Sequence, residues 1–555
     1  MQTPTTLRSV ALAVIVALAG CQNPAPSQPP APGHPTPGPT GQASSRPTTA
    51  PSTAAPSPTT AAPTTFPLAV VTGVRTRKGV IGLDELEALA SAGELVIPCG
   101  IVVDAPALTS GAECIPPQDV AAAIEDDQQL VALLPPGLVQ PATKVLPIEG
   151  DGPFGLFGPD LFGDPEARGL PYPITGRATG EVELDPTWTA YDPSQVWTMT
   201  SIGSLCSDRY AAREAVTRGK GWDWVFGGGT AEYIRPPRLN PNPPPGIDQN
   251  LWVEPRATGN DGAIGLLQRR ADVAIADHEC PILPTDEYVP NPFRGVVLSV
   301  PEAVIPEWKD ILGIDVVYLA ANHMSDKGVR GIRSTLRLLD THGVGRTGLG
   351  MNLDEAIEPA YVEVAGVKVA FIAVNDVGGV ARADEDTAGV PWITRANIRE
   401  GVRRAREAGA DVIMCDPQWW GGREYHDNLL PKQVGQMEMF FEEGCDHVVG
   451  AGTHVAGPMF LRPNGADVSV VLASPGNYVY GQDFFQDLQE GVILEQKFVG
   501  VRLANVRLHP YVIIGGARPP LIDPLGDGRY VLNRIFKSCE PSSSGALCSD
   551  LDYLP

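Results

Sequence analysis

The strongest constraint on this chain is an alternation that runs from residue 195 to about 515. The apolar runs VWTMTSIGSL, ADVAIAD, VVYLAAN, VAFIAVN, DVIMCD and DHVVGAG each read as a buried strand. Most are followed by an amphipathic helix, such as VRGIRSTLRLLDTHG or ANIREGVRRAREAGA. YVEVAGVKVAFIAVN reads as a hairpin that turns at Ala-Gly, and VSVVLASPGNYVY and GVILEQKFVGVRLANVRL supply further strands. Mixed strands flanked by helices fit an α/β fold in which two sheets face each other and helices cover both outer faces. In such folds the working residues sit on loops at the carboxyl ends of the strands.

Upstream, residues 67–190 repeat the logic on a smaller scale. PLAVVTGV reads as a strand and LDELEALASA as a one-sided helix. QDVAAAIEDDQQLVALLPPGL gives a helix, a strand and a Pro-Pro stop, and KVLPIEG another short strand. A small α/β domain is expected here. The chain has 555 residues, too many for one core, so it is expected to divide into this domain, the 195–515 domain and a C-terminal extension over 516–555.

The amino terminus carries an address. MQTPTTLRSVALAVIVALAGC has one Arg and an apolar run too short to span a bilayer, as a signal peptide does. Leu18-Ala19-Gly20-Cys21 resembles a lipobox, which implies lipidation at Cys21. An ordinary secretory signal beside a cysteine is the plainer alternative. Residues 22–66 are almost all Pro, Thr, Ser, Ala and Gly, so they cannot bury a core and are expected to form a disordered stalk. Fully extended, such a stalk reaches roughly 140 Å. The expected location is the cell envelope, lipid-anchored on the outer side of the cytoplasmic membrane or in the periplasm, with the membrane as partner. A net charge of −24 argues against nucleic acid. Eight cysteines besides Cys21 permit disulfides outside the cytoplasm. Cys99–Cys114 and Cys539–Cys548 are the nearest in sequence and the expected pairs, with buried free thiols as the alternative.

The polar residues at the strand ends carry the chemistry. They are Gly203-Ser204, Asp277-His278-Glu279, Asn322-His323, Trp419-Trp420-Gly421-Gly422-Arg423-Glu424-Tyr425, Gly450-Ala451-Gly452-Thr453-His454 and Ser474-Pro475-Gly476-Asn477-Tyr478. In order and spacing they resemble the bacterial capsule-synthesis family CapA, of the poly-gamma-glutamate type, with a calcineurin-like metallophosphatase fold. Two stretches match closely: Leu319-Ala320-Ala321-Asn322-His323-Met324-Ser325-Asp326-Lys327-Gly328 and Gly444-Cys445-Asp446-His447-Val448-Val449-Gly450. The resemblance covers about 320 residues. The segment around VAAAIEDDQQLVALLPPGLVQPATKVLPIEGDGPFG also looks like a small solute-binding-protein-like element that precedes some capsule-synthesis domains.

The departures matter as much. A two-metal site needs several carboxylate and imidazole ligands to hold two divalent ions about 3.5–4 Å apart. Ser204, Trp419, Ala451 and Gly452 stand where the resemblance implies ligands. What remains is Asp277, Glu279, Asn322 and His454, enough at most for one weakly held divalent ion. The resemblance implies that His323 faces the substrate as an acid, with Asp326 orienting it. Read from the residues alone, Asp326 is a helix N-cap and Asn322 caps a turn. Asp277 and Glu279, two apart on an extended chain, point the same way, and His278 points away as a structural residue. Trp419 and Trp420 read either as a stacking platform for substrate, with Glu424, Tyr425 and Asn477 beside them, or as core aromatics. His426, Cys415 and Asp416 are available to compensate for lost ligands. The Gly227-Gly228-Gly229 run lacks the Lys of a phosphate loop and reads as a flexible loop at the mouth.

Three functions follow. The resemblance implies a surface lipoprotein acting in synthesis, export or tethering of an extracellular polymer, with other polymer-synthesis proteins as partners. It is a metallophosphatase-like hydrolase if active. The replaced ligands favour a second version, in which the old cleft only binds. A solute-binding lipoprotein working through its first domain is the third.

Overall fold

The computed structural model describes residues 65–109, 111–148, 161, 174–180, 183–235, 238–239, 251–291, 295–464, 467–536, 538–540 and 547–549. The expected signal peptide and Cys21 lie outside them, as does nearly all of the expected stalk. Among the described residues no helix is long and apolar enough to cross a membrane.

Two sheets face each other, as the alternation predicts. The first has ten strands. Its centre is Val196–Cys206, parallel to Val273–His278, which is parallel to Ile314–Tyr318, with Gly345–Thr347 beyond. On the other side Val196–Cys206 pairs antiparallel with Glu490–Val499, which pairs with Arg502–Val512. The second sheet has six strands, with Val367–Asn375, Val412–Gln418, His447–Val449 and Asp467–Leu472 parallel in that order. Trp197, Ile275, Tyr318, Phe371, Met414, Leu472 and Leu494 meet between the sheets in one buried core. Helix Gly328–His342 buries Ile332, Leu336 and Leu339 against the outer face of the first sheet. Helix Arg395–Glu407 buries Ile398, Val402 and Ala405 against the outer face of the second. This is the αββα sandwich. The expected hairpin Ala360–Val364/Val367–Asn375 turns at Ala365 and Gly366, both left-handed (φ 49° and 77°), as a tight hairpin turn demands.

The strands from Thr65 to Ala178 form a seven-stranded sheet around Thr65–Gly73, which lies in the same compact unit as the sandwich, Ala61–Pro555. Helix Leu83–Ala92 packs Leu86 and Ala90 on one face, and Val120–Asp126 packs Val120 and Ile124 on the other. That second core takes in Ala504 of the large domain. Asn505 Oδ1 accepts from the Val145 amide at 3.0 Å, so strand Arg502–Val512 seats the small domain. In the C-terminal extension, Leu521–Ile522 joins the first sheet, and Arg529–Ile535 sends Val531, Leu532 and Ile535 into the core between the sheets.

Cys99–Cys114 is a disulfide, as expected. Cys539 and Cys548 stand opposite each other in a short antiparallel pair. Two further bridges form within the sandwich: Cys206–Cys280, with Cα atoms 5.7 Å apart, and Cys415–Cys445, at 6.0 Å. Their partners lie 74 and 30 residues apart, so only the fold brings them together. Cys415 is thereby unavailable as a ligand.

Candidate functional site

The parallel strands of both sheets end on one edge, and their polar termini converge there. A register shift between Ala276 and Asp277 sets Asp277 beside Ser204 rather than Gly203. Gly203 allows it, because a Cβ there would lie 1.8 Å from the Gly476 carbonyl oxygen. Strand Asn477–Tyr480 pairs on the other side of Val196–Cys206 and places Asn477 opposite Ser204. Ser204 is thus a hinge between acid and amide, and its Oγ donates to Asp277 Oδ2 at 3.0 Å.

Three buried carboxylates lie near one another: Asp277, Glu279 and Asp416. Burial drives Asp277 well above the usual carboxylate range, and the charges of Glu279 and Asp416 push the same way. Burial and Glu279 raise Asp416 likewise. Burial works against ionisation of Glu279 too, but the charges of His454 and His323 hold it below its ordinary value. Like charges this close cannot all ionise, so the cluster keeps protons on Asp277 and Asp416 and its negative charge on Glu279. Neither Glu279 oxygen makes a hydrogen bond of good geometry, but Ser204 and Gln418 lie close enough to help hold its pKa down. His454 Nδ1 approaches Glu279 Oε1 at 3.8 Å. That nitrogen is bonded to Asn477 Oδ1 at 2.9 Å, while Nε2 faces Glu424 Oε1 at 3.5 Å.

His323 completes the group. Its Nδ1 lies 2.8 Å from Asp326 Oδ2, which also accepts from the Leu298 amide at 2.6 Å. Asp326 therefore orients the imidazole. It does not cap helix Gly328–His342, which has no side-chain cap; the N-cap reading gives way because both bonds of Asp326 run elsewhere. Burial works against charging His323, but the Asp326 hydrogen bond and the charges of Asp326 and Glu279 raise its pKa above the ordinary value. Such a group is charged, and its contribution to stability present, below its unfolded value of about 6.5. That contribution is lost as pH rises through the higher folded value. Asp326→Asn should bring the His323 titration down, read from the imidazole proton shifts by NMR. An unmoved titration would show that Asp326 does not hold the ring.

Four non-glycine residues among those described have left-handed φ. One is the hairpin turn Ala365; the others, Arg209 (51°), Tyr425 (56°) and His454 (62°), all border the site. Backbone strain of this kind persists where surrounding structure over-determines it, often at functional sites. The Tyr425 ring lies 5.9 Å from His454, and Tyr480 4.9 Å from it on another side. Arg209 donates Nε to the Gly295 carbonyl at 2.9 Å and Nη1 to Gly481 at 3.1 Å, and its charge reaches His323 and Tyr425.

Other expected residues go elsewhere. Trp419 is fully buried against Phe440, and its indole donates to the Ala473 carbonyl at 2.9 Å. It is a core residue and cannot be a stacking platform. Trp420 is half-buried. Asn477 is buried and occupied: besides His454, its Nδ2 donates to Gln482 and to Leu488. His278 points away, its Nδ1 on the Leu205 carbonyl and its ring edge on Trp308, as the alternation requires. Both ring nitrogens of His426 sit against carbonyls, of Trp420 and of Asn428, so neither is turned into the site as a ligand. Gly228 and Gly229 are buried, and a Cβ on either would meet the Pro519 or Gly259 carbonyl, so the run is a packed seam rather than a flexible loop. Arg209, Gln418, Tyr480 and Gln482 were not singled out in the sequence. Gln418 carried a signal, a polar side chain ending an apolar strand; its Nε2 donates to Asn322 Oδ1 at 3.3 Å.

Among the described residues no three His, Cys, Asp or Glu side chains are placed to hold a metal ion. Asp277 is bonded to Ser204, Asn322 to Gln418, and His454 Nδ1 to Asn477. The surviving ligand types do not fit a two-metal centre. The arrangement can do something else: present a charged imidazole beside a buried acid cluster whose members are held in different protonation states.

Residues 259–482 match the family model described as bacterial capsule synthesis protein PGA_cap. The capsule biosynthesis protein CapA of Bacillus anthracis is 24% identical over 291 residues, which cover 51% of this chain and 67% of that protein. The PGA biosynthesis protein CapA of Bacillus subtilis (strain 168) is 27% identical over 248 residues, 42% of this chain and 62% of that protein. Among solved structures, Haemophilus influenzae NAD nucleotidase aligns at TM-score 0.32 and 12% identity over 57% of this chain and 50% of its own. A 5'-nucleotidase precursor from Thermus thermophilus aligns at 0.30 and 11%, over 58% and 56%. The fold itself rests on the sheets and cores described above.

Proposed function

Given that residues 259–482 are a capsule-synthesis domain of the PGA_cap family, we propose that this chain is a cell-envelope protein acting in synthesis, export or tethering of an extracellular polymer. One observation carries the proposal beyond the family: the His323–Asp326 pair is set next to the buried Glu279. In this reading His323 gives a proton to a leaving group on the polymer or its precursor. Glu279 keeps the imidazole charged, and Arg209 orients an anionic group at the rim. A second reading, binding without turnover, draws support from Ser204, Trp419, Ala451 and Gly452.

The reading gives a metal ion no step. If one is held, Glu279 and His454, with Asn322 and Asp277 near, are the residues left to hold it. Elemental analysis of purified protein should find at most one divalent ion per chain, removed by mild chelation. Two tightly held ions would contradict the account of the replaced ligands.

Anchoring at Cys21 belongs to the same proposal, supported by the small residues before it and the Pro/Thr-rich stretch after it. Cys21→Ser should release the head into the soluble fraction on cell fractionation. Retention of the variant in the membrane would remove the anchor from the account.

A further inference from the structure

Asp208 follows strand Val196–Cys206 by two residues and is 1% exposed. Four donors surround its carboxylate. Oδ1 accepts from the Arg209 amide at 2.9 Å, from the Tyr288 hydroxyl at 2.9 Å and from the Asn291 amide at 3.1 Å. Oδ2 accepts from the Ser299 amide at 3.0 Å. A carboxylate offers about four lone-pair sites, so these donors fill it. Three of them lie 80, 83 and 91 residues further along the chain. The bonds therefore fix the place of a distant segment rather than shape a local turn.

That segment touches both charged groups of the candidate site. The Leu298 amide, next to Ser299, donates at 2.6 Å to Asp326 Oδ2, the oxygen that holds His323 Nδ1. Neighbouring amides thus serve two carboxylates, and the bond to Asp208 sets the place of the bond to Asp326. On its far side the run is held by strand Val300–Pro301, which pairs with Ile282–Leu283. On its near side Asp208 holds it. Arg209 is tied to the same segment, its Nε donating to the Gly295 carbonyl at 2.9 Å. Its backbone sits at φ 51°, a conformation that surrounding structure must enforce, and Asp208 accepts the amide of that residue. Bonds from amides to a carboxylate are among the stronger hydrogen bonds, and losing the acceptor leaves buried donors unpaired.

We propose that Asp208 is a positioning residue for the acid pair: it fixes Leu298 and Ser299, and through the Leu298 amide it holds Asp326 against His323. The inference rests on the reading of His323 as proton donor. It extends that reading to a side chain that bonds neither the imidazole nor Asp326.

Asp208→Asn keeps the shape of the side chain. Its amide oxygen can still serve Arg209, Tyr288 and Asn291, but its NH2 then meets the Ser299 amide, donor against donor. In the full chain, amide hydrogen exchange at Leu298 and Ser299 should quicken about tenfold or more, the loss of one such bond. At one fixed pH, the ring Nδ1 proton of His323, assigned by its absence in His323→Ala, should shift or broaden as it does in Asp326→Asn. The ring proton between His509 and Glu495, whose atoms lie 2.6 Å apart elsewhere in the sandwich, should stay in place. In an Asp326→Asn background, Asp208→Asn should add no further change at His323. Tyr288→Phe removes one donor at a half-buried residue and carries the test if Asp208→Asn does not fold, with the same changes on a smaller scale. An unmoved His323 proton beside quickened exchange would leave Asp208 a purely structural residue and overturn the proposal. Equal movement of the His509 proton would trace the effect to general loosening and overturn it too. None of these measurements needs turnover. An inactive wild-type chain with the expected shifts would remove the proton transfer and keep the hold of Asp208 on the pair; an active chain with an unmoved ring would do the reverse.

Discussion

Trp419→Ala should destabilise the head by about 3–5 kcal/mol, the range for truncating a large buried aromatic. The indole sits at 0% exposure among Phe440, Val448, Leu429 and Ala473. Removing it leaves a cavity and strips the Ala473 carbonyl of its donor. Gly450 is shaped to the same ring: a Cβ there would fall 2.4 Å from Trp419 Nε1. Trp420→Ala, at a half-buried neighbour, should cost much less. Equilibrium urea unfolding of the two variants separates them. Equal, small losses in both would return Trp419 to the surface and restore the stacking platform.

The second large effect is at His323. His323→Ala should lower turnover about 10²- to 10⁴-fold, the usual share of a general acid, while the head keeps its unfolding midpoint. The side chain is 21% exposed, so truncation opens no sealed cavity. Its working form is the charged imidazole, whose pKa Asp326 and Glu279 raise. Activity should therefore hold through neutral pH and fall as pH rises through the raised value. In Asp326→Asn the fall should begin at lower pH. Rates on polymer-bearing envelope preparations across pH, for wild type and both variants, provide the check. A pH profile in Asp326→Asn identical to wild type would remove His323 as the acid.

These two positions also show what the sequence could and could not convey. Strands and helices were legible because burial on a sheet imposes apolar runs, and helix Gly328–His342 imposes a 3.6-residue stripe. The site edge followed from topology, since parallel strands put their carboxyl ends together. Trp419 was not decidable from its neighbours: an aromatic at the end of an apolar strand looks the same whether it turns inward or outward. Asp326 had two local readings, and only the long-range bond to Leu298 shows which holds. The Cys206–Cys280 pairing and the approach of Arg209 to the site depend on contacts between segments far apart in sequence. Arg209 sits beside Gly481, 272 residues away, and no spacing rule reaches that far.

If the proposed function holds, this chain serves polymer assembly through proton transfer at His323. The most direct measurement is extracellular polymer per cell in a strain deleted for this chain and complemented with wild type or His323→Ala. The variant must be matched to wild type for surface level and unfolding midpoint. The account predicts that wild type restores polymer and His323→Ala does not. Full restoration by His323→Ala would contradict it and leave the cleft a binding site.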